Sequence, residues 1–232
     1  FYADLRQKGK VTTSAISFER FLTLMESYLS EGKDVLYLGF SSGLSSTYSS
    51  AKIAAEELSE KYPERKIYTV DTLAASLGQG LLVYLAAKKR LAGESIEAVR
   101  DYIEEIKLNL CHWFTVDDLV YLKRGGRVSP TVALVGSVLG IKPIFILDDN
   151  GRVKDEIKVR GKKAGIKHIL GKVQDKCTDA STFFICHADV ENEANDLKAQ
   201  VLKMYPEADV FVNCVGPILG NNTGPGALAL IF

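Results

Sequence analysis

The sequence has no surplus of charge of either sign and no hydrophobic run long enough to cross a bilayer. Lysine plus arginine number 29, as do aspartate plus glutamate, so no overall field favours nucleic acid or an anionic membrane. An apolar stretch at residues 132–146 is short and is broken by glycine, lysine and proline. With no signal-peptide pattern at the start, we expect a cytoplasmic protein without nucleic-acid partners or stable membrane insertion.

Cysteines and histidines are too few and too scattered to indicate a metal site or a catalytic constellation. The four cysteines are Cys111, Cys177, Cys186 and Cys214. Their spacing fits neither a zinc site nor a small disulfide framework, and predicts free thiols in a reducing compartment. The histidines His112, His168 and His187 fall in separate predicted elements. We therefore expect no metal and no cofactor.

Alternating strands and helices in the first half predict a parallel sheet covered by helices on both faces. The predicted strands are residues 34–40 and 66–71, and the predicted helices are 17–31, 48–61, 76–91 and 95–109. Ser17 is the expected N-cap of the first helix, and Gly93 separates the last two. Ligands of such sheets lie beyond the carboxyl ends of the strands, which directs attention to loops 41–47 and 72–80.

The second half has a different pattern, with a predicted hairpin around the turn Asp148–Gly151. The other predicted strands are 112–116, 182–186 and 210–214, and the predicted helices are 130–139, 162–176 and 191–205. This order indicates a mixed or antiparallel sheet. We therefore predict an α/β protein with two domains. Residues 1–110 would form a Rossmann-like three-layer domain that lacks its first strand, and residues 111–232 an α/β domain with a mixed or antiparallel sheet.

Two hydroxyl-rich segments are candidate anion sites. Residues 12–17 lie just before a predicted helix, where hydroxyls bind anions or simply cap the helix. Residues 40–48 (Phe-Ser-Ser-Gly-Leu-Ser-Ser-Thr-Tyr) join a strand to a helix at the expected ligand edge. This loop lacks the glycine spacing and lysine of a P-loop, so it does not predict ATP binding. Neutral donors for an anionic group and an ordinary polar turn both remain open interpretations.

Three further segments also allow either a ligand-binding or a purely structural interpretation. Residues 71–80 begin with Asp71, a possible base or helix cap, and continue with small residues suited to close packing. The basic turn Lys123–Arg127 contains Arg124 and Arg127, which suit a planar anion or an acidic partner. Residues 215–226 are rich in glycine and proline, and predict a constrained loop that shapes a site.

Taken together and in this order, these segments resemble the DegV family. Thr13-Ser14 resembles the Thr-Ser-Gln-Pro-Ser motif of that family, and residues 40–48 resemble its Ser-Ser-Gly-Leu-Ser-Gly-Thr loop. Three further segments match family segments nearly letter for letter: residues 74–82, residues 114–119 together with 121–127, and residues 224–227. The resemblance covers the whole chain, and five segments in order make it specific.

The resemblance implies a carrier of a long-chain fatty acid in phospholipid metabolism rather than an enzyme. The acyl chain would enter an apolar tunnel, and where a fatty acid kinase is present the protein would present the acid to it. Apart from the resemblance, our default expectation is a monomer. Carboxylate-binding residues carried over from the motifs are Thr13, Ser14, Ser42, Gly43, Ser45 and Asn222. Residues implied for the head group or for the partner are Arg124, Arg127 and Arg160.

The sequence departs from the family pattern at three places. Ala15-Ile16 replaces Gln-Pro in the first motif, and Asn222 stands where the family often has histidine. Asparagine can donate a hydrogen bond to a carboxylate but cannot titrate. Family members also carry a first strand with an Asp-Ser pair before the position of Phe1.

Two rival functions make different predictions. An enzyme acting on a small carboxylated or phosphorylated substrate would use Asp71 or Asp117 as a base and Arg124 as an anion clamp, in a polar pocket. A docking protein would use Arg124 and Arg127 to bind a partner, with lipid incidental. The carrier instead predicts a long apolar tunnel.

Overall fold

The computed structural model describes residues 1–7, 9, 11–128 and 140–232. The predicted apolar helix at 130–139 lies outside the described residues. The strands are β1 (Val35–Gly39), β2 (Ile67–Asp71), β3 (His112–Thr115), β4 (Ile141–Leu147), β5 (Val153–Arg160), β6 (Thr182–His187), β7 (Asp209–Cys214) and β8 (Leu228–Ile231). The helices are α1 (Tyr2–Arg6), α2 (Phe18–Leu29), α3 (Thr47–Lys61), α4 (Leu77–Leu91), α5 (Ile96–Ile106), α6 (Leu119–Gly125), α7 (Lys162–Lys176), α8 (Glu191–Met204) and α9 (Pro217–Thr223), with a 3-10 turn at Lys107–Asn109.

The described strands form two sheets, one in each half of the chain. Strands β1 and β2 pair in parallel, with Val35 opposite Ile67 and Gly39 opposite Asp71. The other six strands follow the order β5-β4-β3-β8-β6-β7. In that sheet β6 and β7 are parallel and the other pairs are antiparallel, which makes it mixed as predicted.

Helices cover the small sheet on both faces because its side chains alternate. Val35 and Tyr37 pack with α2 and α3, whereas Leu36 and Leu38 pack with α4 and α5. Ser17 caps α2 by accepting a hydrogen bond from the amide of Arg20 (3.4 Å). The three-layer parallel arrangement predicted for the first half is confirmed.

The six-stranded sheet has two differently packed faces. On one face, Trp113, Ile185 and Leu230 pack in the core cluster that includes buried residues of α7 and α8. On the other face, Phe184 and Ile231 pack with residues of α4, a helix of the first half. Helix α4 therefore packs against both sheets and brings the carboxyl ends of β1 and β2 near the large sheet.

Several local predictions are corrected by the structure. Residues 123–125 are not a turn but the last turn of α6, which ends where Gly126 adopts a left-handed conformation (φ 68°). Residues 215–226 are not a continuous loop, because α9 occupies their middle. Helix α1 and strand β8 were not predicted. None of the described helices combines the length and apolar character needed to cross a bilayer.

Candidate functional site

A cavity of about 510 Å³ lies between the carboxyl ends of β1 and β2 and one face of the six-stranded sheet. Its floor is formed by cavity-facing residues of β3, β6 and β8: His112, Phe114, Cys186, Ala229 and Ile231. Loops after β1 and β2 form another wall, through Phe40, Leu44 and Ala75. Ligand pockets are typically ~300–1,000 Å³ and mostly apolar, so the volume suits a medium-sized organic ligand.

The described lining of this cavity contains no aspartate or glutamate, and Arg127 is its one formal cation apart from any charge on His112. Most of the lining is aliphatic or aromatic, and the polar groups are mainly hydroxyls and amides. The described residues also contain no cluster that could hold a metal ion. The cavity is therefore suited to a largely apolar ligand with one small polar end.

The hydroxyl loop (residues 41–47) contributes Ser45 and Thr47 to the cavity wall. The Ser45 Oγ and Thr47 Oγ1 atoms lie 2.8 Å apart, and Ser45 Oγ also accepts from the Thr47 amide (3.2 Å). Ser41, by contrast, is fully buried, and its hydroxyl is used internally. The loop thus presents its later hydroxyls to the cavity and uses its first one for packing.

Residues 13–16, between α1 and α2, form another part of the cavity wall. Helix α1 is anchored on the second half, since Tyr2 Oη donates to Val215 O (2.6 Å) and Tyr121 Oη donates to Leu5 O (3.1 Å). After this anchor, the half-buried Thr13 and the exposed Ser14 line the cavity. Thr13 and Ser14 therefore line the same cavity as Ser45.

Helices α6 and α9 close a further side and are joined by Arg124. Its Nη2 donates to Oδ1 of the buried Asn221 (3.0 Å), and its guanidinium lies over the Tyr121 ring. Asn222 lines the cavity and donates from Nδ2 to Ile218 O (2.9 Å). Arg127 also lines it, and its Nε donates to Leu44 O (3.2 Å).

The structure therefore gathers some predicted site residues and separates others. Those that line the cavity are Thr13, Ser14, Ser45, Asn222 and Arg127. Those outside its described lining are Ser42, Gly43, Arg124 and Arg160. Arg160 ends β5 about seven residues beyond Val153, which lines the cavity; at ~3.3 Å per residue the two lie roughly 23 Å apart. The roles assigned to these residues remain predictions.

Three polar lining residues were not among the individually predicted site residues, although Ser76 and Gln79 lie in the loop 72–80 that the sequence placed at the ligand edge. Gln79 donates from Nε2 to Leu38 O (2.9 Å), and Ser76 Oγ lies 3.5 Å from Cys186 Sγ. Ser76 has φ 54° and ψ −131°, a conformation rare for residues with a Cβ atom and often found at functional sites. The sequence directed attention to this loop but did not single out these two side chains, whose contacts depend on the packing of α4 between the two sheets.

His112 is the third such residue and lies at the floor of the cavity. The Nε2 atom packs against Gly78 of α4 and has no hydrogen-bond partner among the described residues. Burial lowers the pKa of His112 to about 4, against a smaller opposing effect of a hydrogen bond to the Leu110 backbone. The imidazole is therefore neutral near pH 7.

Fold and site together define an α/β protein with an apolar, ligand-sized cavity edged by hydroxyl groups. Comparison with known proteins agrees. A sequence model described as "Uncharacterised protein, DegV family" matches residues 1–232. A DegV domain-containing protein of Clostridium perfringens is 43% identical over 234 residues, which cover 100% of this chain and 80% of that protein. The chain belongs to the DegV family.

Two solved structures resemble the chain over nearly its whole length. One, described as fatty acid binding of a DegV family protein from Thermus thermophilus, has a TM-score of 0.88 and 32% identity, covering 99% of this chain and 81% of that one. The other, a DegV lipid-binding protein from Thermotoga maritima, has a TM-score of 0.85 and 31% identity, covering 99% and 80%. The fold predicted from the sequence, α/β with a parallel and a mixed sheet, is confirmed.

Proposed function

We propose that this protein binds a long-chain fatty acid, with the acyl chain in the cavity and the carboxylate at the hydroxyl groups, and that it acts as a carrier. The observation that carries the proposal is the described lining, which is apolar, free of carboxylates and edged by hydroxyls. The Thermus thermophilus relative, which is described as binding fatty acid, supports the same ligand class.

The energetics favour an acyl chain as the main source of affinity. Each buried methylene contributes ~0.8 kcal/mol, so a chain with ~14 of them would contribute roughly 11 kcal/mol before ordering costs. A carboxylate left unpaired in such a cavity would cost several kcal/mol. Hydroxyls of Thr13, Ser14 and Ser45, with the Asn222 amide and Arg127, are the groups that we propose offset this cost.

The enzyme alternative requires residues that do not meet in one pocket. Asp71 Oδ1 accepts hydrogen bonds from the amides of Ser42 and Leu73 (3.1 and 3.2 Å) and acts as a turn cap. Asp117 pairs with Lys142 (2.9 Å). Arg124 is bonded to Asn221. This dispersal, with a cavity wall free of carboxylates in its described part, leads us to propose binding rather than catalysis.

Native mass spectrometry of the purified protein, followed by denaturing extraction, tests the proposal. We expect an added mass that is released as a fatty acid of roughly 14 to 18 carbons, the length assumed in the burial estimate. Ser45→Ala should weaken binding of that acid by about tenfold to a hundredfold, since a hydrogen bond to a charged group contributes ~1.5–3 kcal/mol. A clean apo mass that does not shift with added palmitate or oleate would rule the carrier out.

We further propose that a fatty acid kinase receives the bound acid from this protein. Arg124 and Arg127 are suited to such docking, because both are exposed and hydrogen-bond to uncharged groups, Asn221 and the Leu44 carbonyl. Acyl phosphate formation by a purified bacterial fatty acid kinase, measured with the loaded wild type and with Arg124→Ala, tests this. An equal rate for the two proteins would contradict docking through Arg124.

A further inference from the structure

The hydroxyl loop is attached to the second half of the protein through a buried serine. Ser41 has no exposed surface, and its Oγ donates to the carbonyl of Gly151 (2.8 Å) in the turn between β4 and β5. The same oxygen accepts from the amide of Gly43 (3.1 Å). One hydroxyl thus ties the start of the loop both to itself and to a turn 110 residues away.

Two glycines allow this close approach. A Cβ atom on Gly43 would overlap the carbonyl oxygen of Asn150. A Cβ atom on Gly151 would overlap Ser41 Oγ and lie 3.0 Å from the backbone of Leu73, and its φ of 66° also disfavours any side chain. The loop and the hairpin turn therefore interlock backbone to backbone, with no side chain able to enter at either glycine.

The rest of the loop is held from both sides as well. On its own half, Asp71 accepts from the amide of Ser42, and on the other half Arg127 donates to the carbonyl of Leu44. Ser45 follows directly and lines the cavity. The position of its hydroxyl relative to the cavity thus depends on contacts made by the second half.

We infer that the β4–β5 turn, acting through Gly151 and Ser41, positions the hydroxyl loop for recognition of the ligand carboxylate. The inference rests on the proposed function and assigns a positioning role to residues that are outside the described cavity lining. Hydrogen bonds weaken steeply with distance and angle, whereas apolar burial does not, so displacement of the loop should weaken carboxylate binding selectively.

The test compares Gly151→Ala with Gly161→Ala, using hexadecanoic acid and hexadecanol as ligands. Both glycines have positive φ, but a Cβ atom on Gly161 would meet nothing within 4 Å, so it controls for the backbone cost. We expect Gly151→Ala to lower the affinity for hexadecanoic acid by about tenfold or more and the affinity for hexadecanol by less than about threefold. Gly161→Ala should leave both affinities within about twofold of the wild type.

An equal loss of affinity for the acid and the alcohol in Gly151→Ala, or no loss of affinity for either, would overturn the positioning role. If Gly151→Ala does not fold, Ser41→Ala removes the same contact without steric overlap and should show the same preference against the acid. Amide hydrogen exchange of residues 41–47 in the ligand-free protein gives an independent measurement. It should rise in Gly151→Ala and not in Gly161→Ala, so the positioning role is testable even if the wild type binds no fatty acid.

Discussion

His112 lies against Gly78 with its Nε2 atom shielded from water, and burial lowers its pKa from 6.5 to about 4. Between these two pH values the unfolded chain binds a proton that the folded protein does not, so stability must fall as pH decreases through this window. For one such group the loss between pH 7 and pH 5 is about 2 kcal/mol. Below about pH 4 the folded protein is also protonated, and this contribution no longer changes.

Urea unfolding at pH 7 and pH 5 measures this effect in the wild type and in His112→Leu. The variant should lose much less stability between the two pH values, because it cannot take up the proton. Glu97, whose pKa is lowered to about 2 mainly by its hydrogen bond with Lys66, contributes stability that is lost only below its usual value near 4.5. An equal loss of unfolding free energy in the wild type and in His112→Leu would show that His112 does not determine the pH dependence of stability between pH 7 and pH 5.

For individual residues, the sequence predicts where the site lies better than it predicts the contacts that each residue makes. The sequence placed the serine-rich loop at the ligand edge of the sheet, and Ser45 of that loop lines the cavity. Gly43 is also conspicuous in the sequence, but the reason for a glycine there is not local. A side chain at this position would overlap the carbonyl oxygen of Asn150, which is more than 100 residues away. Ser76 lies in the predicted ligand loop 72–80 but was not singled out, and His112 has no local signal, because its place in the cavity depends on the packing of α4 on the large sheet.

The contact between α4 and β3 can be tested at the scale of elements with two glycines of the same helix. A Cβ atom on Gly78 would overlap the His112 ring, whereas one on Gly80 would meet only Leu77 Cδ2 at 3.4 Å. Gly78→Ala should therefore destabilise the protein by ~1–3 kcal/mol, the usual cost of overpacking. Gly80→Ala should be neutral or stabilise it by up to ~1 kcal/mol through helix propensity. Thermal unfolding measures the stability of the two variants. A Gly78→Ala variant as stable as the wild type would contradict the close packing of α4 on His112.

Elements with strong periodicity are predictable here, and those stabilised by distant contacts are not. Helix α7 and the β4–β5 hairpin follow from their sequences with bounds within about one residue. Helix α9 contains proline, glycine and two asparagines, which are poor helix formers. It is stabilised instead by its partners, since Arg124 of α6 bonds Asn221 and the Tyr2 hydroxyl packs at Gly220. No local sequence pattern predicts such contacts, because the partner residues are distant in the sequence.

At the scale of the whole molecule, the cavity is lined by residues from both sides of position 110. A domain boundary near that residue stays a prediction, which limited proteolysis would test. A ligand that contacts both halves should stabilise them together by mass action, by ~2.7 kcal/mol at one hundred times its Kd. For a chain of this length the unfolding temperature should rise by roughly 5–10 °C.

Calorimetry with hexadecanoic acid measures this shift, and hexanoic acid is the matched control. The short acid has the same carboxylate but lacks most of the methylenes, so it should change the unfolding temperature little. Equal shifts with both acids would place the affinity in the head group rather than the cavity. Size-exclusion chromatography with light scattering would test the expectation of a monomer in the same samples.

The outer strand β5 has a consequence for the behaviour of the protein at high concentration. It forms one edge of the six-stranded sheet, and five of its eight residues are charged: Lys154, Asp155, Glu156, Lys158 and Arg160. An edge strand with unpaired backbone groups is a template for pairing with another chain, and charged side chains oppose such pairing. The charges on β5 therefore oppose edge-to-edge, fibril-like association between copies of the protein.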